Sequence, residues 1–326
     1  MRKILSLLAA ALVLTGAAVA FVAWQAQQRF VSPGPLPEER AVIVPRGSGV
    51  DGIARLLEEQ GVIEDALLFK IGVKLTGEAG RLRAGEFAFP AHVSPRGAMQ
   101  ILTEGQTVVH RLTVPEGLTV RQVIELLRQN EALSGEISSE IPEGSLLPET
   151  YHFTRGDSRE SVIQRMRDAM TRTLDELWES RQPDLPLRSK EEAVILASVV
   201  ERETSIAAER PRVAGVFINR LRRGMPLQSD PTVIYGMSEG LGVIDRPLTR
   251  RDLTVHHEWN TYTIPALPAT PIANPGRASL QAVLNPAKTR DLFFVADGTG
   301  GHAFAETLEQ HNRNVARWRR IQRGEQ

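Results

Sequence analysis

The stretch Ser189-Lys190-Glu191-Glu192-Ala193-Val194-Ile195-Leu196-Ala197-Ser198-Val199-Val200-Glu201-Arg202-Glu203-Thr204 organises the second half of the chain. Ser189 and Glu192 stand at capping-box spacing, where a serine and a glutamate can each bond the other's backbone N–H. A nearly continuous apolar run follows, so the pattern predicts a helix over 190–204. The run ends in two acids. On a helical wheel, Val194, Ala197 and Ser198 share the face of Glu201, and Leu196, Val199 and Val200 share the face of Glu203. Burial disfavours a charged carboxylate and raises its pKa. A carboxylic acid kept neutral near pH 7 is what a general acid requires. The small neighbours of Glu201 leave room for a substrate, and this makes Glu201 the candidate catalytic group. The plain alternative stays open: an acid at the end of an apolar run marks where the helix surfaces, paired with Arg202, Arg210 or Arg220.

Outward from this helix, Pro211 suits a first helical position. Val213, Val216, Phe217, Asn219, Arg220 and Leu221 continue a second helix, which Gly224 stops. Long proline-rich connections are expected over 227–236 and 259–276, and ordered long loops between short helices often line a cleft. A helix near 278–284 and a strand over 292–295 follow. Asp297-Gly298 and Gly300-Gly301 mark a hairpin turn before His302, and a charged helix ends the chain. Polar residues gather at these turns: Gln228, Asp230, Asn260, Tyr262 and His302. His256 and His257 are adjacent, and no metal-ligand spacing such as His-Glu-x-x-His occurs. A metal is not expected. There is no glycine-rich phosphate loop, no serine nucleophile elbow and no dinucleotide fingerprint, so no cofactor is expected.

The first half contains a repeat. Val44-Pro45-Arg46-Gly47 with Val50, Ile53 and Leu56-Leu57 recurs seventy residues later as Val114-Pro115-Glu116-Gly117 with Val120, Val123 and Leu126-Leu127. Each copy reads as a strand, a Pro-x-Gly turn and a helix. Phe87-Ala88-Phe89-Pro90 before Met99, Ile101 and Leu102 is a looser third copy. Helices are expected over 64–75 and 95–103, and strands over 41–44, 86–89 and 108–114. The arrangement is either reused turn chemistry or a small strand–helix–helix–strand module that grips glycans.

At the N-terminus, Arg2 and Lys3 precede 21 uncharged residues from Ile4 to Trp24. That length crosses a bilayer core as a helix, with the cations on the cytoplasmic side and Trp24 at the far interface. Ala18-Val19-Ala20 is a passable signal cleavage site, but the apolar run continues past it, which favours a retained anchor. Residues 25–40, with Gln25, Gln27, Gln28, Pro33, Pro35 and Pro37, read as a tether holding a folded body off the membrane. The chain has 39 basic and 39 acidic residues and no cysteine. Zero net charge argues against nucleic-acid binding by bulk charge, and the missing thiols exclude disulfides and thiolate-zinc sites.

Taken in order, these motifs resemble the endolytic murein transglycosylase family, also called YceG-like, from the anchor to about Trp318. The matching pieces are 196–204, Val216-Phe217-Ile218-Asn219-Arg220-Leu221, 225–236 with Gln228-Ser229-Asp230-Pro231-Thr232, and Trp259-Asn260-Thr261-Tyr262. Asn285-Pro286-Ala287-Lys288-Thr289, 293–304 with Gly300-Gly301-His302, and Leu147-Pro148-Glu149-Thr150-Tyr151 complete the series. Two places depart from the family pattern. Ala266 and Thr270 replace the glycines of a Gly-Leu-Pro-Pro-Gly-Pro-Ile loop, and Trp259 stands where tyrosine is common.

The resemblance implies an α+β fold in three parts. These are an anchor and tether (1–40), a LysM-like module (41–110), and a mixed α+β catalytic domain with long cleft-lining loops (111–326). It implies a single-pass inner-membrane protein facing the periplasm, acting on peptidoglycan glycan strands, with peptidoglycan synthases as candidate partners. It implies cleavage between N-acetylmuramic acid and N-acetylglucosamine within the strand, with Glu201 as the catalytic acid. Glu203, Asn219, Gln228, Asp230, Tyr235, Asn260, Tyr262 and His302 are then expected to hold the sugar or orient the acid. Two alternatives stand beside it: a non-catalytic wall-binding scaffold, and a glycan hydrolase using Glu201 and Asp230 as a carboxylate pair.

Overall fold

The computed structural model describes residues 2–323, apart from the side chains of 2–7 and 9. The expected cytoplasmic placement of Arg2 and Lys3 therefore concerns side chains outside the described residues. The architecture is α+β and divides into two compact units. The first comprises the chain up to His110 with Phe153–Gly156; the second comprises Arg111–His152 and the chain from Asp157 onward.

In the first unit, helix α1 (Arg2–Val31) is followed by β1 (Arg40–Val44), α2 (Val50–Glu59), α3 (Ala66–Leu75), β2 (Gly85–Phe89) and α4 (Pro95–Glu104). Within α1, Ala10–Val31 forms a 22-residue stretch long and apolar enough to cross a membrane. Strands β1 and β2 pair antiparallel, with Val42 opposite Phe87 and Val44 opposite Gly85. Alternation along β1 sends Val42 and Val44 inward. They pack with Ile53, Leu57, Phe69, Phe87, Phe89 and Leu102 into one core. Asp65 and Ser94 cap α3 and α4 through their side chains. The strand–helix–helix–strand order read from the sequence is present. The tether reading changes in one respect: Gln25–Val31 are helical, and Phe30 and Leu36 are buried in this core. The apolar residues of the stretch outweigh its prolines.

Strand β3 (Val109–Thr113) pairs with β4 (Thr150–Thr154), and α5 (Val120–Gln129) lies between them in sequence. A full capping box at Thr119 and Gln122 starts α5. Both copies of the repeat turn through a left-handed glycine, Gly47 at φ 82° and Gly117 at φ 78°, a conformation that carries no steric penalty for glycine.

The second unit continues with α6 (Arg159–Glu179), α7 (Lys190–Glu203), α8 (Arg210–Arg222), α9 (Asp230–Met237) and α10 (Arg277–Leu284). It ends with the hairpin β5 (Phe293–Ala296) and β6 (His302–Ala305), then α11 (Leu308–Gln322). Leu196, Ala197 and Val200 of α7 pack with Val213 and Phe217 of α8 and Leu280, Val283 and Leu284 of α10. The Ser189 hydroxyl accepts from Glu192 N–H as expected, but the Glu192 carboxylate accepts from Arg188 N–H, so only half of the capping box forms. Two elements depart from the sequence reading. Helix α9 occupies most of the stretch read as a long loop, because Pro231 sits in its first turn without needing a donor. The 21-residue α6 has no counterpart in that reading. Residues 259–276 do run without a helix or strand.

Candidate functional site

Glu201 and Glu203 are two positions apart on the helix, a rotation of about 200°, so the two acids leave α7 on different sides. The second unit surrounds each with different partners.

Glu201 is enclosed, with its side chain 4% exposed. Its Oε2 accepts from Gly276 N–H at 2.9 Å, and its Oε1 accepts from Arg210 Nη2 at 3.1 Å. The same Arg210 nitrogen reaches Glu116 Oε2 at 3.0 Å. Glu116 is the middle residue of the second Pro-x-Gly turn, so the repeat delivers it here. Burial pushes the Glu201 pKa up, while the Gly276 N–H and the Arg210 cation pull it down. Both oxygens are taken, and one faces a guanidinium.

Glu203 has an open oxygen. Its Oε1 accepts from the Ser229 hydroxyl at 2.5 Å. Among the described residues, Oε2 has no hydrogen-bond partner and is not a sealed buried atom. Burial pushes the Glu203 pKa up to about 7. The Ser229 hydrogen bond lowers it, the Asp230 charge raises it further, and His302 and Arg220 lower it. The residue retains partial exposure. It is thus an acid that burial helps keep protonated up to about neutral pH, with one oxygen not engaged in a hydrogen bond among the described residues.

The loop beside Glu203 is pinned from several directions. Ser229 is fully buried, and its N–H donates to Thr261 Oγ1 at 2.9 Å. Thr232 Oγ1 donates to Ser229 O at 2.7 Å. Gln228 adopts φ 53°, a strained value for a residue with a side chain. Its side-chain oxygen accepts from Arg220 Nη1 at 3.2 Å, and Arg220 is fixed by Leu292 O at 2.7 Å and Leu227 O at 2.9 Å. Tyr262 donates to Asp230 Oδ1 at 2.6 Å. His302 lies against Phe294 and is clamped by Glu209: Nδ1 stands 2.6 Å from Oε2, and the backbone N–H donates to Oε1 at 3.0 Å.

The residues singled out in the sequence therefore separate. Asp230, Tyr262 and His302 lie near enough to Glu203 to interact with its charge, and Gln228 is linked to it through Arg220. Asn219 does not join them as a ligand-facing group; its amide donates to Thr289 O and Asp291 O, both at 3.0 Å. Asn260 is fully buried and holds its own loop, donating to Val255 O at 2.7 Å and accepting from Tyr262 N–H. Tyr235 belongs to a third acid, Glu143, to which it donates at 3.2 Å. Glu143 also accepts from Val120 N–H at 2.9 Å and from Asn274 Nδ2 at 3.3 Å, and burial pushes its pKa up to about 7. Asn274 further donates to Leu118 O and accepts from Leu146 N–H. Sequence reasoning missed Ser229 as a carboxyl partner, and it missed Glu143 altogether. Glu143 sits in a polar Pro-Glu-Gly loop that carries no apolar period to mark it as buried.

Helix α7 thus ends in a glutamate whose pKa burial raises to about 7 and whose neighbours are polar, an environment suited to a general acid. The family model described as YceG-like matches residues 42–317, and the chain belongs to that family. The chain is 32% identical over 302 residues to the endolytic murein transglycosylase of Bacillus subtilis, covering 83% of this chain and 82% of that one. It is 28% identical over 318 residues to the endolytic murein transglycosylase of Streptococcus pneumoniae, covering 84% of this chain but only 57% of the relative. A crystal structure of a yceG-like protein from Listeria monocytogenes is similar at TM-score 0.53 and 30% identity, covering 85% of this chain and 98% of that chain.

Proposed function

We propose that this chain is an endolytic lytic transglycosylase. It cuts the bond between N-acetylmuramic acid and N-acetylglucosamine within peptidoglycan strands, with Glu203 as acid and then base. The acid role expected for Glu201 passes to Glu203 on one observation: Glu203 has an oxygen free beside a polar rim, while both oxygens of Glu201 are occupied, one by Arg210. The Arg210 cation beside Glu201 favours its charged form, which opposes its holding a proton for transfer.

In this mechanism neutral Glu203 gives its proton to the glycosidic oxygen as the C1–O bond breaks, and the sugar ring gains oxocarbenium character. The muramic acid's own 6-hydroxyl then attacks C1, and its proton passes to the Glu203 carboxylate. A 1,6-anhydro end forms, no water is consumed, and Glu203 returns to its starting state. An intramolecular nucleophile brings a high effective molarity, so no second carboxylate has to activate water. Asp230, bonded to Tyr262, then raises the Glu203 pKa by its charge and keeps the acid loaded. In a two-carboxylate hydrolase the partner of Asp230 is Glu203, since the groups acting on Glu201 are Gly276, Ser279, Glu116 and Arg210.

The reading places the second unit on the periplasmic side of the inner membrane, anchored by α1. The β1–α2–α3–β2 unit serves as a LysM-like glycan grip, and peptidoglycan synthases are candidate partners. Mass spectrometry of a sacculus digest tests the chemistry: 1,6-anhydro ends are expected, and reducing ends turn the reading to a hydrolase. A pure ectodomain that binds sacculi and releases nothing turns it to a scaffold.

A further inference from the structure

Helix α3 carries an apolar row that the described residues of its unit leave largely exposed. Leu67, Ile71 and Leu75 are 63%, 45% and 83% exposed. At spacing i, i+4, i+8 they form one face, while Phe69, Gly72 and Val73 are buried. Lys74 is exposed beside the row. An apolar face with a lysine at its edge is the pattern of a helix lying in a lipid interface.

What adjoins α3 gives the face an occupant. The last turns of α1 pack directly on it. The Phe30 ring lies so close to Gly72 that a Cβ there would clash with it. Arg29 stands 4.0 Å from Asp65, the N-cap of α3. At the other end of α3, Gln27 and Thr76 line one cavity. Residues 27–30 cover about 4.5 Å of helix axis, whereas residues 65–76 cover about 16 Å. Residues 27–30, only three to six positions past Trp24, are thus placed near α3 from Asp65 at its start to Thr76 at its end. Phe30, Leu36 and Val73 belong to one core, so the end of α1 is packed into this unit.

We infer that α3 lies along the surface of the bilayer that α1 crosses, with Leu67, Ile71 and Leu75 at the headgroup–acyl boundary and Lys74 at the lipid phosphates. The occupant of the apolar face is lipid. The inference rests on α1 being a membrane span. The proximity of residues 27–30 to both ends of α3 sets that helix beside the point at which α1 leaves the bilayer, and the first unit sits on the membrane rather than being held off it.

The chain has no cysteine, so single-cysteine fluorophore labels report cleanly. Full-length Leu67→Cys, Ile71→Cys, Leu75→Cys and Val22→Cys variants, labelled with bimane and placed in phosphatidylglycerol-containing vesicles, are read by nitroxide-lipid quenching. Quenching of the three α3 labels by headgroup-proximal nitroxides, with Val22 quenched by deep-chain nitroxides, is the expected result. Val22 quenched with all three α3 labels silent overturns the α3 inference and leaves the anchor standing. Val22 silent overturns the anchor and the inference with it. Leu75 is so exposed that its replacement leaves the core intact, which keeps the experiment independent of folding.

Discussion

Glu201 and Glu203 are two residues apart on one helix, and the fold gives them opposite surroundings. Around Glu201 the groups are an arginine, a backbone N–H and a second acid sharing the arginine. Around Glu203 they are a serine hydroxyl and a rim of polar side chains, with one carboxyl oxygen left free. Burial raises the pKa of both. On the proposed reading, the difference between the two acids lies in their partners, and depth alone does not decide it.

The comparison breaks first on a pair of substitutions. Glu203→Gln should lower activity on isolated sacculi by roughly 10²–10⁴-fold, the usual contribution of a general acid–base group, while sacculus binding persists. Glu201→Gln should keep most activity and instead lose about 2 kcal/mol of stability, the scale of a charge-assisted hydrogen bond, seen in urea unfolding. The reverse pattern returns the catalytic role to Glu201.

A smaller effect is expected from pH. The folded pKa of Glu203 and of Glu143 lies near 7 against an ordinary value of 4.5. The folded state thus binds more protons than the unfolded state between these values. The stability tied to each neutral carboxyl is complete below about 4.5 and is lost as pH rises through about 7. Glu143→Gln should flatten the fall in unfolding midpoint over that window while leaving the activity profile in place. Activity itself should decline as pH rises through about 7, because the acid must be protonated.

The smallest effect sharpens the same point. Ser229 donates to Glu203 and favours its charged form. Ser229→Ala should move the alkaline limb of the kcat/KM profile to higher pH with only a modest change in the maximum. An unmoved limb would mean that the titrating group is not Glu203.

Much of this is legible in the residue order. The cap at Ser189 and the apolar run place α7 within a residue, and the Pro-x-Gly repeat marks two real turns with left-handed glycines. The wheel also separates the two acids. It does not say which face is left open, because Glu116, Arg210, Ser229 and Gly276 reach the helix end from elsewhere in the chain. Helix α6 does carry a stripe, Val162, Met166, Met170 and Leu177, but charged residues between its members dilute the signal. Asn219 and Asn260 resemble ligand-facing amides in sequence, and only the backbone carbonyls they meet reveal them as loop fasteners.

Asn274 ties Leu118, Glu143 and Leu146 together with one side chain, across sequence separations of 156, 131 and 128 residues. Contacts of such range are slow to form, since a long loop must close before any bond rewards it. The residues around Leu118 and Glu143 leave the ribosome well ahead of the partner that satisfies them. The seam of the second unit therefore cannot be completed until the 274 region has been made and has closed on Leu118, Glu143 and Leu146.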